Sequence, residues 1–133
     1  MRNILLDTHV WLWISMDDQR SLSRKARNML VHQKNSGSRW ISAISCWELA
    51  KLVERGRIGF SIPVLDWIKR SLKEKVLEVA ELSPEIAVES TRLAGFHRDP
   101  ADQIIAATSR ILGLPLITAD RKMQDFSGIE TIW

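Results

Sequence analysis

The chain has 133 residues, of which 45% are hydrophobic and 26% charged, and this predicts a single globular domain over residues 1–133. Its 19 basic and 16 acidic side chains leave a net charge of +3, compatible with a nucleic-acid partner, and its one cysteine, Cys46, excludes an intrachain disulfide. No apolar run approaches the roughly 20 residues of a membrane span, and Asp7 interrupts the apolar run that a signal peptide needs, so we expect a cytoplasmic protein without membrane association.

Strand and helix patterns alternate along the chain. In chain order, the predicted elements are a strand at 3–6, helices at 10–16 and 21–35, a strand at 39–43, a helix at 45–56, a helix that begins near residue 63, a strand at 76–82, helices at 84–95 and 99–113, and strands at 114–118 and 129–133. The helix at 99–113 has both ends marked, with Asp99 as a cap, Pro100 at the first helical position and Gly113 just past the end. Because strands alternate with helices, the pattern predicts an α/β fold in which helices cover both faces of a parallel sheet.

Acidic residues follow the predicted strands. Asp7 ends the first strand, Glu48 lies in the first turn of the helix after the second, and Asp120 follows the fourth. In open parallel sheets, ligands bind beyond the carboxyl ends of the strands, so these three side chains can reach one edge. Asp102 lies in the first turn of the helix before the fourth strand, and it joins them only if that helix begins at the same edge.

Each acid also has a purely structural interpretation. Ser45 and Glu48 fit a capping box, in which the glutamate bonds to the backbone amide of the serine. Asp99 is a natural helix cap, and Asp102 complements the helix dipole as a first-turn acid. The acids that follow the first and fourth strands can each cap the next turn. Taken singly, every one of them is more simply explained as a cap, because caps are common and catalytic acids are rare.

The capping interpretation gives the acids no reason to converge. Two unit charges about 4 Å apart repel by up to ~4 kcal/mol at an effective dielectric of 20. A hard divalent cation such as Mg²⁺ or Mn²⁺ neutralises such a cluster, and two ions can activate water and stabilise the leaving oxygen of a phosphodiester. Four carboxylates balance two such ions. Once the four carboxylates are neutralised, the 19 basic and 12 other acidic side chains have a net charge of +7. This charge favours binding of a polyanion more than the overall net charge of +3 does.

Four segments occur in order along essentially the whole chain: LLDTHVWLW, ISAISCWELAKL, HRDPADQIIAAT and LPLITADRKM. In order and spacing they resemble the PIN-domain nucleases, and most closely the VapC-type ribonuclease toxins of prokaryotic toxin–antitoxin pairs. The acids of that family correspond to Asp7, Glu48, Asp102 and Asp120. Its hydroxyl residue two positions before the last acid corresponds to Thr118, and Asp99 matches a frequent extra acid with a supporting role. No acid of the family pattern is missing from the chain.

The resemblance implies a three-layer α/β/α sandwich with a five-stranded parallel sheet in the order 3-2-1-4-5. It also implies Mg²⁺- or Mn²⁺-dependent endoribonuclease cleavage of single-stranded RNA, with one or two ions held by the four acids. Asp7 and Asp102 would be direct metal ligands, and Thr118 would hold a carboxylate or a water. Glu48 and Asp120 would complete the coordination or orient water. Family members are commonly homodimers that a small antitoxin inhibits. We therefore expect a second copy of this chain and a cognate antitoxin as its partners.

Other functions stay open on the sequence. A PIN nuclease of this kind could process RNA without acting as a toxin, and the same fold could carry a non-catalytic RNA-binding or regulatory module. A phosphotransferase that forms an aspartyl phosphate would use Asp7 as its nucleophile, but such enzymes usually have a second acid where His9 stands here. A receiver domain would need an acidic pair after the first strand and a lysine after the last, and the chain has neither.

Six tryptophans are many for a chain of this length. Core packing is the simplest role for most of them, but Trp11 and Trp13 stand two residues apart, so a helix would point one of them outward. An outward tryptophan suits a dimer interface or an antitoxin surface, and stacking on RNA is a further alternative. The three histidines are not spaced like metal ligands and are predicted to be surface or structural residues. They are His9, His32 and His97.

Overall fold

A computed structural model describes residues 2–33 and 37–133. In chain order, the elements are β1 (Ile4–Leu6), α1 (Thr8–Ser15), α2 (Arg24–Gln33), β2 (Arg39–Ser42), α3 (Ala43–Glu54), α4 (Val64–Glu74), β3 (Leu77–Ala80), α5 (Pro84–Glu89), α6 (Pro100–Leu112), β4 (Leu116–Ile117), α7 (Arg121–Asp125) and β5 (Thr131–Ile132). Within these described ranges, no helix is both long enough and apolar enough to cross a bilayer.

The strands form one parallel sheet in the order β3-β2-β1-β4-β5, which confirms the predicted topology. β1 is central, and Leu5 pairs with Trp40 of β2 on one side and with Leu116 of β4 on the other. The strand order reverses at β1, because β2 and β3 lie on one side of it and the later strands β4 and β5 lie on the other. A crevice opens at the carboxyl ends of the strands at such a point, and β1 ends immediately before Asp7.

β1 is buried on both faces, which explains the three layers. Ile4 and Leu6 pack in a core that includes side chains of α1, α2, α3 and α4. Leu5 packs in a second core with Ile105 of α6 and Met123 of α7. Successive side chains of a strand point to opposite faces, so helices must cover both sides of this wholly apolar strand. The α/β/α sandwich is therefore confirmed.

α6 carries a predicted acid to the carboxyl edge of the sheet. It is the helix that returns the chain from β3 to β4, and a crossover helix between parallel strands starts near the edge at which the preceding strand ended. Asp99 caps it, Pro100 occupies its first position, and Gly113 ends it with φ +65°, a left-handed conformation that favours glycine. All three end signals predicted for this helix are confirmed.

Other element ends differ from the prediction. α3 begins at Ala43, two residues earlier than expected, and the helix predicted at 84–95 ends at Glu89. α7 was not predicted, because its five residues are too few to show a helical period. Parts of the predicted helix at 21–35 and of the turn at 36–38 lie outside the described residues.

Candidate active site

A cavity of about 370 Å³ opens at the carboxyl ends of β1 and β4. The acids in its lining are Asp7, Glu48, Asp99, Asp102 and Asp120. All four acids predicted to be catalytic, together with the predicted supporting acid, therefore border one space. Because α6 begins at this edge, Asp102 reaches the same cavity as Asp7, a point that the sequence had left open.

Asp7 is held from two directions at the end of β1. Its Oδ1 accepts a hydrogen bond from the backbone N–H of Thr8 at 2.8 Å, which caps α1, and its Oδ2 accepts one from the Thr118 hydroxyl at 2.6 Å. The residue is only 8% exposed. Burial raises the pKa of Asp7 above its ordinary value, while the two hydrogen bonds act in the opposite direction. A buried carboxylate with two donors is oriented, but it remains costly to ionise.

Thr118 connects two of the acids. It is fully buried directly after β4, where its hydroxyl donates to Asp7 Oδ2 and accepts from the backbone N–H of Asp120 at 3.0 Å. Asp120 in turn caps α7, since its Oδ1 accepts from the backbone N–H of Lys122 at 2.8 Å. The contact predicted between Thr118 and a carboxylate is present, and it ties the start of α7 to the end of β1.

Glu48 lies in the second turn of α3, so the prediction that it stands in the first turn is wrong, and the alternative of a capping box with Ser45 is excluded. The helix is capped instead by Ser42, whose hydroxyl accepts from the backbone N–H of Ile44 at 3.2 Å. Glu48 Oε1 accepts from the Thr8 hydroxyl at 2.6 Å, and a 2.8 Å hydrogen bond joins that hydroxyl to Ser45 Oγ. Burial raises the pKa of Glu48, and the bond from Thr8 lowers it. This carboxylate is therefore positioned by α1 rather than by its own helix.

Three of the acids form a tight cluster. Glu48, Asp99 and Asp102 each place a carboxylate oxygen within 4.8 Å of the others. Burial first, and then the negative charges of the neighbouring acids led by Asp7, raise the pKa of Asp102 to about 8. A divalent cation that prefers oxygen ligands would remove this repulsion, so the donor set fits such an ion. Asp99, predicted as a supporting acid, is a full member of this cluster.

The sequence interpretation missed side chains that contact the acids. Thr8 was not considered, although it directly follows Asp7. His97 was predicted to be a surface or structural residue, but its Nε2 lies 3.1 Å from Asp102 Oδ2, without the angles of a hydrogen bond. The available signal was its place in HRDPADQIIAAT, two residues before Asp99. His9, which also lines the cavity, was missed in the same way.

An aromatic wall borders the acids on one side. Trp11 is fully buried, whereas Trp13 is half-buried and lines the cavity, so the prediction that the pair would point in different directions is confirmed. The Trp13 ring lies 6.0 Å from that of Trp133 and 6.1 Å from that of His9, measured between centroids.

Comparison with known proteins identifies relatives of the chain. The profile of the PIN domain family matches residues 4–129. Ribonuclease VapC22 from Mycobacterium tuberculosis is 39% identical over 125 residues, which cover 93% of this chain and 92% of that protein.

Two solved structures share the fold. VapBC2 from Rickettsia felis, bound to a DNA fragment from its promoter, superposes with a TM-score of 0.71 at 16% identity over 97% of this chain and 96% of that one. A toxin–antitoxin complex from Klebsiella pneumoniae superposes with a TM-score of 0.60 at 22% identity, over 94% and 93% of the two chains.

Proposed function

Since the chain belongs to the PIN domain family, we propose that it is a metal-dependent endoribonuclease of the VapC type that cleaves single-stranded RNA. The observation that carries the proposal is the convergence of five carboxylates, supplied by four separate parts of the chain, on one cavity. Capping accounts for three of them, but Glu48 and Asp102 are not N-cap residues and still line the same cavity. The 39% identity with a protein named as a ribonuclease supports RNA as the substrate. In this proposal, residues 1–133 form one nuclease domain.

We propose Mg²⁺ or Mn²⁺ as the cofactor, with one or two ions per site. The residues that would hold them are Asp7, Glu48, Asp102 and Asp120, with Asp99 in support. A cation bound there would supply Lewis-acid activation for hydrolysis of a phosphodiester. The geometry supports the proposal, because Glu48, Asp99 and Asp102 each place a carboxylate oxygen within 4.8 Å of the others.

Hydroxyl groups of the chain orient the carboxylates. Thr118 donates to Asp7 Oδ2, and Thr8 donates to Glu48 Oε1, so each carboxylate accepts a hydrogen bond from one hydroxyl group. Each carboxylate keeps acceptor capacity toward the cavity, since a carboxylate has about four lone-pair sites. Hydrogen bonds of this kind orient metal ligands and typically change affinity or activity by about 10–100-fold.

Cleavage of a labelled single-stranded RNA pool tests the nuclease proposal. The purified protein is assayed with Mg²⁺ or Mn²⁺ and with EDTA, beside Asp7→Asn and the control Asp66→Asn. Asparagine also caps helices, so Asp7→Asn is expected to stay folded, and Asp66 is an exposed acid on α4 outside the cavity. Metal-dependent cleavage that only Asp7→Asn abolishes is the expected result. No cleavage by the folded, metal-loaded wild type would contradict the proposal and favour a non-catalytic RNA-binding module.

We also propose that the nuclease is the toxin of a toxin–antitoxin pair, that a small antitoxin inhibits it, and that it forms a homodimer. The likeness to VapBC2 and to a solved toxin–antitoxin complex supports the toxin role and the antitoxin partner. The homodimer is carried over from the resemblance to VapC-type toxins. Induced expression with and without the neighbouring gene tests the toxin role. Growth arrest relieved by the neighbour is expected, whereas unaffected growth would indicate an RNA-processing nuclease instead. Light scattering of the purified protein tests the dimer.

A further inference from the structure

A second cavity, of about 240 Å³, adjoins the acidic one. The linings of the two cavities share Thr8, His9, Glu48 and Asp99. They therefore form one continuous groove. Beyond the shared residues, the second cavity is lined by Trp47, Lys51 and Arg55, which we call the Trp47 stripe, and by the apolar residues Leu52, Pro100 and Ala101. The groove thus changes along α3 from an acidic end to a basic and aromatic end.

The members of the Trp47 stripe are four residues apart, so they follow one another along one face of α3 and its C-cap. Each step rises by about 6 Å along the helix axis. Trp47 is 53% exposed, and Lys51 Nζ lies 5.9 Å from the centroid of its ring. Lys51 also pairs with Glu54 at 3.0 Å, but this is an ion pair at the protein surface and is therefore weak. Lys51 can exchange the Glu54 carboxylate for another anion.

We propose that the Trp47 stripe is a subsite for the RNA strand next to the cleaved phosphodiester, in which Trp47 stacks on a base while Lys51 and Arg55 contact backbone phosphates. The subsite rests on the proposed ribonuclease function. Three features carry it: the groove leads directly from the acids, two cationic side chains follow one another about one helical turn apart, and an exposed indole ring stands beside them. Single-stranded nucleic acids bind through this combination of aromatic stacking and a positive track. A purely acidic peptide would pair with the cations but has no planar group to stack on the ring.

Fluorescence anisotropy with a labelled mixed-sequence RNA of about 12 nucleotides tests the subsite. All proteins carry Asp7→Asn, so the RNA is not cut. Trp47→Leu is expected to weaken binding on the order of 10-fold, and Trp47→Phe, which keeps a ring for stacking, is expected to bind with an affinity close to that of the parent protein.

Lys51→Gln with Arg55→Gln is expected to reduce the slope of log affinity against log salt by ~1.4, since each phosphate contact contributes ~0.7 with single strands. The control is Lys69→Gln with Lys73→Gln, which removes the same charge at the same spacing from exposed positions of α4 and should leave most of the slope unchanged.

The same substitutions in the active protein are assayed for RNA cleavage, where they are expected to raise KM more than they lower kcat. Cleavage by the wild type with RNA affinity unchanged in every variant overturns the subsite alone. No cleavage by the wild type, with binding still weakened by Trp47→Leu but not by Trp47→Phe, overturns the nuclease and its cleavage subsite but supports RNA binding by the Trp47 stripe. A poly-glutamate peptide is tested in parallel. If it binds as tightly as the RNA and loses as much affinity in the variants, the groove is a protein-docking surface and the RNA subsite is overturned.

Discussion

Asp102→Asn is expected to stabilise the metal-free protein at pH 8, although it removes a proposed metal ligand. Burial, followed by the charges of Asp7 and the other acids, raises the pKa of Asp102 from an ordinary 3.8 to about 8. The folded protein therefore holds this proton more tightly than the unfolded chain does. The resulting stabilisation is fully present below pH 3.8 and is lost as the pH rises toward 8. Asparagine has no proton to lose, so the variant escapes this loss.

The size of the effect follows from the pKa difference. Each pKa unit between the folded and unfolded states corresponds to ~1.4 kcal/mol, so a difference of about 4 would give at most ~6 kcal/mol. The Asp102 side chain is 17% exposed and faces an open cavity, and solvent screening lowers this figure. We expect ~2 kcal/mol between pH 4.5 and pH 8. At ~4 °C per kcal/mol for a domain of this size, the wild type should lose ~8 °C of Tm relative to the variant.

Thermal unfolding in EDTA, followed by circular dichroism from pH 4.5 to pH 8, measures this difference. Asp66→Asn controls for the loss of one exposed acid on α4. His97→Gln is added to the wild type and to Asp102→Asn, because the imidazole Nε2 lies 3.1 Å from Asp102 Oδ2 and its contact with this carboxyl group must be separated from the effect of the carboxyl group itself. Glu48 and Asp99 face the same carboxyl group and are present in all of these proteins. A Tm difference that stays constant with pH, or a wild type that is the more stable protein at pH 8, would contradict a proton held by Asp102 in the folded state.

Three further predictions concern the acids and their partners. Thr118→Val removes the hydrogen bond to Asp7 Oδ2 at nearly constant volume, so cleavage should fall ~10–100-fold, and Thr118→Ser should restore it; equal rates for valine and threonine would contradict an orienting role. Asp99→Ser keeps a hydroxyl that can cap α6 but removes a carboxylate, so the free energy of unfolding should change by less than ~0.5 kcal/mol while Mg²⁺ affinity, measured by calorimetry, falls. Unchanged Mg²⁺ affinity would exclude Asp99 from the metal site. At pH 8, Mg²⁺ at ~100 times its Kd should stabilise the wild type by ~2.7 kcal/mol in thermal scans against EDTA, and it should stabilise Asp102→Asn less; equal gains would exclude Asp102 as a ligand.

Local signals in the sequence predicted most of the fold, whereas long-range contacts decided the details of the site. α6 was predicted at both ends, because its cap, its first-position proline and its terminal glycine act within a few residues. The capping-box alternative for Ser45 and Glu48 fails because the helix begins earlier, with Ser42 as its cap, and Glu48 instead accepts a hydrogen bond from the Thr8 hydroxyl, forty positions away in the chain. No local pattern contains that contact.

Helix capping and metal binding are compatible at this site. Three of the acids cap a helix through Oδ1 alone: Asp7, Asp99 and Asp120 cap α1, α6 and α7. The second oxygen of each takes no part in the cap. Helix N-termini carry partial positive charge, so the starts of α1, α6 and α7 offset part of the repulsion between acids gathered at one edge of the sheet. Strand ends and helix starts meet at that edge because the sheet is parallel, and the chain can therefore fold with five acids around one cavity before any cation binds.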